Sequence, residues 1–220
     1  MRIITTSDTH FYTDPAKIPD GDVFIHAGDL MYTGQVGEWQ DKIEWLGALP
    51  HKTKLLIPGN HDYYIQQFEG LARAQLRKEA GVKLVTFEDG IAVLPNRMAL
   101  LGLQYVTGLR GWAWNAEDTD LARKMEWVRD TPDIVVSHAP MWQMLDAIRP
   151  EATAYHERMP VGTWAYADWF RKLQVKPKYW INGHIHESYG TGEMDGCKFY
   201  NVAMCDRNYD QTNPPMVIDV

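Results

Sequence analysis

Five short segments place metal-binding side chains directly after hydrophobic runs: Ser7-Asp8-Thr9-His10, Gly28-Asp29, Gly59-Asn60-His61-Asp62, Ser137-His138 and Gly183-His184-Ile185-His186. Together they offer Asp8, His10, Asp29, Asn60, His138, His184 and His186 as oxygen and nitrogen donors. Asp8 and His10 are two residues apart, as are His184 and His186. In an extended chain such pairs face one side and could reach one cation. A mixed Asp/His/Asn donor set suits Mn²⁺, Fe²⁺, Zn²⁺ or Ni²⁺ better than Ca²⁺ or a thiolate-type zinc site. Seven donors are about enough for two divalent cations that share one bridging carboxylate. Two cations roughly 3.5–4 Å apart can generate a hydroxide and hold both the attacking and the leaving oxygen of a phosphoryl transfer. Any one of these segments alone is common as a turn cap. All five in one chain point to a shared dinuclear centre.

The elements that must position these residues repeat as strand, loop, helix. Arg2–Thr6 reads as a buried strand delivering Ser7–His10, and Asp22–His26 as a second delivering Gly28-Asp29. Val36, Trp39, Ile43 and Leu46 recur at helical spacing up to Pro50. Lys54–Ile57 is a third strand, before Gly59–Asp62, and Tyr63–Ala80 has helical composition ending at Gly81. Apolar runs over 82–87, 91–94 and 98–106 predict strands with turns at Asp89-Gly90 and Pro95-Asn96. Helices are expected over Leu121–Arg129 and Thr163–Leu173, and strands over Asp133–Val136, Tyr179–Ile181, Lys198–Val202 and Met216–Val220. Every candidate donor therefore falls just beyond the C-terminal end of a strand, where α/β sheets gather binding residues. The irregular middle predicts a mixed sheet or a two-sheet sandwich. Because the motifs run from residue 8 to residue 186, a single domain is expected.

The chain has 220 residues, ordinary for one domain with a substantial core. A formal charge of −7 argues against a general polyanion-binding surface, so no stable nucleic-acid complex is expected. No apolar run approaches membrane-spanning length, and Met1-Arg2-Ile3-Ile4-Thr5-Thr6 does not read as a secretory leader. Cys197 and Cys205 read as buried, reduced thiols, and the expected location is cytoplasmic.

The ordered set Asp-x-His, Gly-Asp, Gly-Asn-His-Asp, His and Gly-His-x-His resembles the calcineurin-like metallophosphoesterase superfamily over nearly the whole chain. That resemblance implies an αββα sandwich, in which two mixed β-sheets are flanked by helices and the metal site lies at the strands' C-terminal ends. It implies a first metal on Asp8, His10 and His186, a second on Asn60, His138 and His184, and Asp29 as the bridge. It implies that His61 protonates the leaving oxygen or stabilises transition-state charge and that Asp62 orients His61, with Asn60 also near the substrate. Asp22–Asp29, Trp45–Pro50, Gly111–Asn115, Gly183–Gly190 and Thr212–Pro215 resemble the metallophosphoesterase-domain-containing group more closely. That group implies phosphodiesterase activity on cyclic nucleotides, with two divalent metals, Mn²⁺ first among them. Some of its members lack the last motif histidine; this chain keeps His186. It departs from the group at Gly102–Leu109 and Met141, which bears on the substrate rather than the metals.

Trp112 and Trp114 flank Ala113 and, if extended, share one face that could stack on a base. Arg110 and Arg207 are candidate phosphate contacts. His26 reads as a core histidine bracing the Asp29 loop, and His51 and His156 as surface residues. Residues 149–160 read as a surface loop that could cover the cleft. The expected ligand is thus a small phosphodiester or nucleotide. A phosphomonoesterase, a nuclease of the same superfamily, and a metal-supported scaffold are the alternatives. A protein phosphatase fits poorly, because Gly28–Gly34 and Pro58–Asp62 lack the Asp-Arg-Gly and Arg-Gly-Asn-His-Glu signatures of that branch.

Overall fold

In the computed structural model, residues 1–148 and 159–220 are described. The chain opens with β1 (Arg2–Thr6), β2 (Val23–Ala27), helix α1 (Val36–Ala48) and β3 (Thr53–Ile57). Helices α2 (Tyr63–Gln67) and α3 (Glu69–Gln75) and a π-helical turn at Leu76–Ala80 lead to β4 (Val82–Leu84). Then come β5 (Ile91–Val93), β6 (Ala99–Leu103), the short pair β7 (Val106–Thr107) and β8 (Asn115–Ala116), and α4 (Asp118–Met125). Next are β9 (Ile134–Ser137), the short pair β10 (Ala147–Ile148) and β11 (Met159–Pro160), and α5 (Trp164–Lys172). The chain ends with β12 (Tyr179–Asn182), β13 (Gly190–Met194), β14 (Cys197–Asn201) and β15 (Met216–Asp219).

Two mixed sheets form, in the orders β15-β1-β2-β3-β4 and β13-β14-β12-β9-β6-β5. In each, four parallel strands are flanked by antiparallel edge strands: β15 in the first sheet, β13 and β5 in the second. Alternation along single strands explains the layering. Ile3, Val23, Ile25, Leu100, Ile134, Val136 and Ile181 fill the space between the sheets. Their neighbours Ile4 and Phe24 face α1 and α2, whereas Leu101, Val135 and Trp180 face α4 and α5. Strands buried on both faces read as continuous apolar runs. Each such side chain contributes about 1.5–3 kcal/mol on burial. The result is an αββα sandwich.

The irregular middle is the crossover between sheets: β4 closes the first, β5 and β6 enter the second. The helix expected over 63–80 is broken at Phe68, which sits at φ −123° and ψ 40° with its ring against Tyr64. Strand β13 was not expected, because Gly190-Thr191-Gly192-Glu193-Met194 is glycine-rich and polar. Its signal lay in the following Asp195-Gly196, which takes left-handed φ values of 51° and 77° and turns the chain into β14. His51, expected at the surface, is buried, with Nε2 3.0 Å from the Pro19 carbonyl. Met159 and Pro160 pair with Ala147 and Ile148. The rest of the proposed covering loop, 149–158, and His156 within it, lie outside the described residues.

Candidate metal centre

The two sheets meet where the motifs are. Beyond β1, the Ser7 amide donates to the Val202 carbonyl (3.1 Å) and the Met204 amide to the Ser7 carbonyl (3.0 Å). This bridge brings Asp8 against the Gly183 loop that leaves β12. Three donor groups result, each with ligand atoms within 4.8 Å of one another: Asp8–His10–His186, His10–Asp29–His61 and Asp29–His138–His184. Asn60 joins the last through Oδ1, 3.0 Å from His138 Nε2. All seven predicted donors and His61 are therefore brought to one place. The route differs from the expected extended geometry. Asp8 (φ 52°), His10 (φ 43°), Asp29 (φ 55°) and His184 (φ 70°) are left-handed, and His186 opens a short 3-10 turn. Four such residues in one site mark strain held by its surroundings.

Two motif glycines are required by close approach. A Cβ on Gly28 would lie 2.2 Å from His138 Nδ1, and one on Gly183 would lie 2.1 Å from Ser7 Oγ and 2.3 Å from Asp8 Oδ2. Backbone donors and acceptors then set each side chain. Asp8 Oδ2 accepts from Ser7 Oγ (2.5 Å) and the His184 amide (2.9 Å); Asp29 Oδ1 accepts from the His61 amide (2.8 Å). The Nδ1 atoms of His10, His138 and His186 lie 3.0, 2.9 and 2.8 Å from the carbonyls of Met31, Ala27 and Asp206. A carbonyl only accepts, so each Nδ1 carries the hydrogen and each Nε2 presents its lone pair to the centre.

Those lone pairs face one another and other acceptors. His10 Nε2 is 3.4 Å from His186 Nε2, which is 3.4 Å from Asp8 Oδ1. His138 Nε2 is 3.3 Å from Asp29 Oδ1. Acceptors converge in a buried site only when a positive charge binds them. In the metal-free protein that charge comes from protons. Burial disfavours the imidazolium forms of His138 and His186, but Asp29 beside the first and Asp8 beside the second outweigh it and push both up to about 9. Burial would likewise raise Asp8 and Asp29, yet the neighbouring His186 and His138 hold them well below the usual carboxylate range. His10 and His184, for which burial dominates, fall to about 4. His10 and His184 are thus neutral imidazoles and Asp8 and Asp29 ionised carboxylates, while His138 and His186 would give up their protons to a bound cation, so the residues present fit the group the motifs imply.

Asp62 does not orient His61 as expected. It is fully buried and accepts from the backbone amides of Gly59 (2.7 Å), Met31 (3.0 Å) and Asp29 (3.1 Å). Burial and the nearby Asp29 raise it to about 6. The imidazole of His61 is held instead by the Tyr32 carbonyl, 2.5 Å from Nδ1, leaving Nε2 3.9 Å from Asp29 Oδ2. Trp112 and Trp114 do not share a face, because 111–114 is a turn rather than a strand. Trp112 is 39% exposed and its ring lies 4.6 Å from that of His61, whereas Trp114, 8% exposed, belongs to the core against the first sheet. Trp114 is therefore no pocket residue. Arg110 is exposed on the same turn. His26 is a core histidine as expected, but it braces Thr9, whose Oγ1 lies 3.0 Å from Nε2.

Sequence reasoning missed Tyr209 and Lys42. The Tyr209 ring lies 4.9 Å from His10 and 5.1 Å from His186. With His184, His186, Thr107, Leu109 and Arg207 it lines a cleft of about 530 Å³. Lys42 is buried and donates from Nζ to the His10 carbonyl. Its place in the helical apolar stripe, between Trp39 and Leu46, was the available signal. Cys197 and Cys205 are buried, unpaired thiols, each pushed up to about 12 by burial. No helix of the described residues is long and apolar enough to cross a membrane.

Residues 1–188 match the family model for calcineurin-like phosphoesterases. The chain is 31% identical over 241 residues to metallophosphoesterase domain-containing protein 1 of Homo sapiens, covering 100% of this chain and 71% of that protein. It is 26% identical over 242 residues to a UPF0046 protein of Caenorhabditis elegans, covering 100% of this chain and 81% of that one. Phosphopantetheinyl hydrolase of Mycobacterium tuberculosis superposes with a TM-score of 0.58 at 16% identity, over 94% of this chain and 90% of that one, a likeness of fold. Motif order, the facing donors and these relatives agree that the chain belongs to the calcineurin-like phosphoesterase family, whose members hydrolyse phosphoesters with divalent metals.

Proposed function

We propose that the chain is a dinuclear phosphodiesterase acting on small diesters, cyclic nucleotides first among them, in a reducing cytoplasmic setting. The observation that carries this reading is the sharing of Asp29 between donor groups on both sides, with imidazole lone pairs turned inward. Asp8, His10 and His186 would hold one cation; Asn60, His138 and His184 would hold the other; Asp29 would serve both. Mn²⁺ is the favoured ion, with Fe, Zn or Ni fitting the same donors. When bound, two cations acidify water and neutralise the non-bridging phosphate oxygens.

The chain's own residues supply the rest. Hydrolysis forms one P–O bond from water, breaks another, and delivers a proton to the departing oxygen. His61 Nδ1–H is committed to the Tyr32 carbonyl, so a proton on Nε2 is directed at the centre and can pass to a departing alkoxide. A diester needs that proton most, because an alkoxide is a poor leaving group near neutral pH. Trp112 beside His61 offers a flat apolar surface for a base or sugar, and Arg110 on the same turn offers a phosphate contact. The negative net charge and a cleft of small-molecule size favour a small diester over a nucleic-acid strand.

The test is hydrolysis by Mn²⁺-loaded protein of bis- and mono-p-nitrophenyl phosphate, then of 2′,3′- and 3′,5′-cyclic nucleotides. The reading expects diester turnover to exceed monoester turnover. Monoester preference would move the assignment to a phosphomonoesterase, and no hydrolysis at full metal loading would move it to a scaffold.

A further inference from the structure

The His61 imidazole is aimed by a backbone carbonyl, and a backbone carbonyl is only as fixed as its loop. The loop in question is 29–34, which leaves β2 and reaches α1. Its Met31 and Tyr32 carbonyls hold His10 and His61 respectively. Asp62 ties down its first half through the Asp29 and Met31 amides. The second half rests on Glu38, in the first turn of α1. Glu38 Oε2 accepts from the amides of Tyr32 (3.1 Å), Thr33 (3.0 Å) and Gly34 (3.2 Å). Its Oε1 accepts from Thr33 Oγ1 (2.8 Å) and again from the Thr33 amide (3.0 Å). Three successive backbone N–H groups around one carboxylate form a nest, and charge-assisted hydrogen bonds of this kind are about twice as strong as neutral ones. The helix N-terminus further favours the anion.

We infer that Glu38 is a positioning residue for the general acid: by clamping 32–34 it fixes the direction of the Tyr32 carbonyl, and through it the tautomer and aim of His61. It touches neither the donor groups nor the cleft lining. Nothing in the family motifs names it. The inference rests on the reading of His61 as proton donor, and leaving-group chemistry separates the two. A p-nitrophenolate departs without protonation; a nucleoside alkoxide does not. A residue that merely stabilises the fold would slow both substrates equally.

The experiment compares Glu38→Gln and His61→Asn with the parent, all Mn²⁺-loaded to equal metal content, on bis-p-nitrophenyl phosphate and on a 3′,5′-cyclic nucleotide. For Glu38→Gln, kcat on the cyclic nucleotide should fall about 10-fold while the nitrophenyl diester stays within about 2-fold, a smaller version of the split in His61→Asn. In the metal-free protein, ring nitrogen chemical shifts should show one Nδ1–H tautomer for parental His61 and a mixture in Glu38→Gln. If Glu38→Gln does not fold, Glu38→Asp, which keeps the charge but withdraws it by one methylene, reads the same two quantities. A clear split in His61→Asn with none in the Glu38 variant, or an unchanged tautomer, overturns the role of Glu38 alone. No split in His61→Asn overturns the general-acid reading and the role of Glu38 with it.

Discussion

In the proposed reaction Asp29 and His61 would divide the chemistry between them, and the distances around each support that division. Asp29 Oδ1 faces His138 Nε2 at 3.3 Å and takes the His61 amide, whereas His61 Nε2 stands 3.9 Å from Asp29 Oδ2, free to meet a substrate oxygen. Replacing His61 with Asn should therefore leave metal content and fold intact while lowering turnover of alkyl-type diesters on the order of 10²–10⁴-fold. Steady-state kinetics with near-normal turnover would contradict the proton-donor role. A second residue-scale effect lies behind the centre. Burial holds His26 neutral down to about 3, whereas in the unfolded chain it titrates near 6.5. The folded state thus binds fewer protons, so this contribution is complete above pH 6.5 and is lost as pH falls toward 3, at about 1.4 kcal/mol for each unit below 6.5. His26→Leu should cost about 1–3 kcal/mol at neutral pH, by orphaning Thr9 Oγ1. Its stability gap to the parent should close on acidification; denaturant midpoints in chelator that keep a constant gap would refute this.

Strand ends, rather than helices, place the chemistry, and they were the most legible elements. The apolar runs of β1, β2, β3, β9 and β12 stand in the sequence because each is buried on both faces. Their motif loops follow by necessity. What stayed hidden were features set by backbone sign or by a partner distant in sequence. The left-handed residues of the donor loops leave no compositional mark, since Asp and His tolerate φ above zero without requiring it. The turn that buries Trp114 and exposes Trp112 reads equally well as a strand. Asp62 could only be assigned once Gly59, Met31 and Asp29 were seen converging on it. Gly183 tests the strand-end picture directly, because β12 and β1 approach so closely there that a methyl group would strike Ser7 and Asp8. Gly183→Ala should fold, as judged by circular dichroism, yet bind Mn²⁺ on the order of 10–100-fold more weakly in titration calorimetry. Unchanged affinity would mean that the approach of these two loops is not what seats Asp8.

Across the whole molecule the centre is also the joint between the sheets. The first sheet supplies Asp8, His10, Asp29 and Asn60, and the second supplies His138, His184 and His186, so bound cations would tie the two halves together. Folding and metal binding are then linked: ions that bind only the native state should stabilise it by about 2.7 kcal/mol at a hundredfold excess over Kd. Thermal unfolding should be one transition that moves up with Mn²⁺ and down with chelator; two transitions, or a Tm indifferent to metal, would disprove the coupling. The clustering of the donors was readable in the sequence, but the joint was not, because it depends on Ser7 meeting Ala203 from the far end of the chain. The proposed dinuclear centre depends on Asp29 being shared across that joint. Elemental analysis of the parent and of Asp29→Ala tests it most directly. Two divalent ions per parental chain and the loss of both in the variant are expected, and a variant that still holds two would contradict a bridging Asp29.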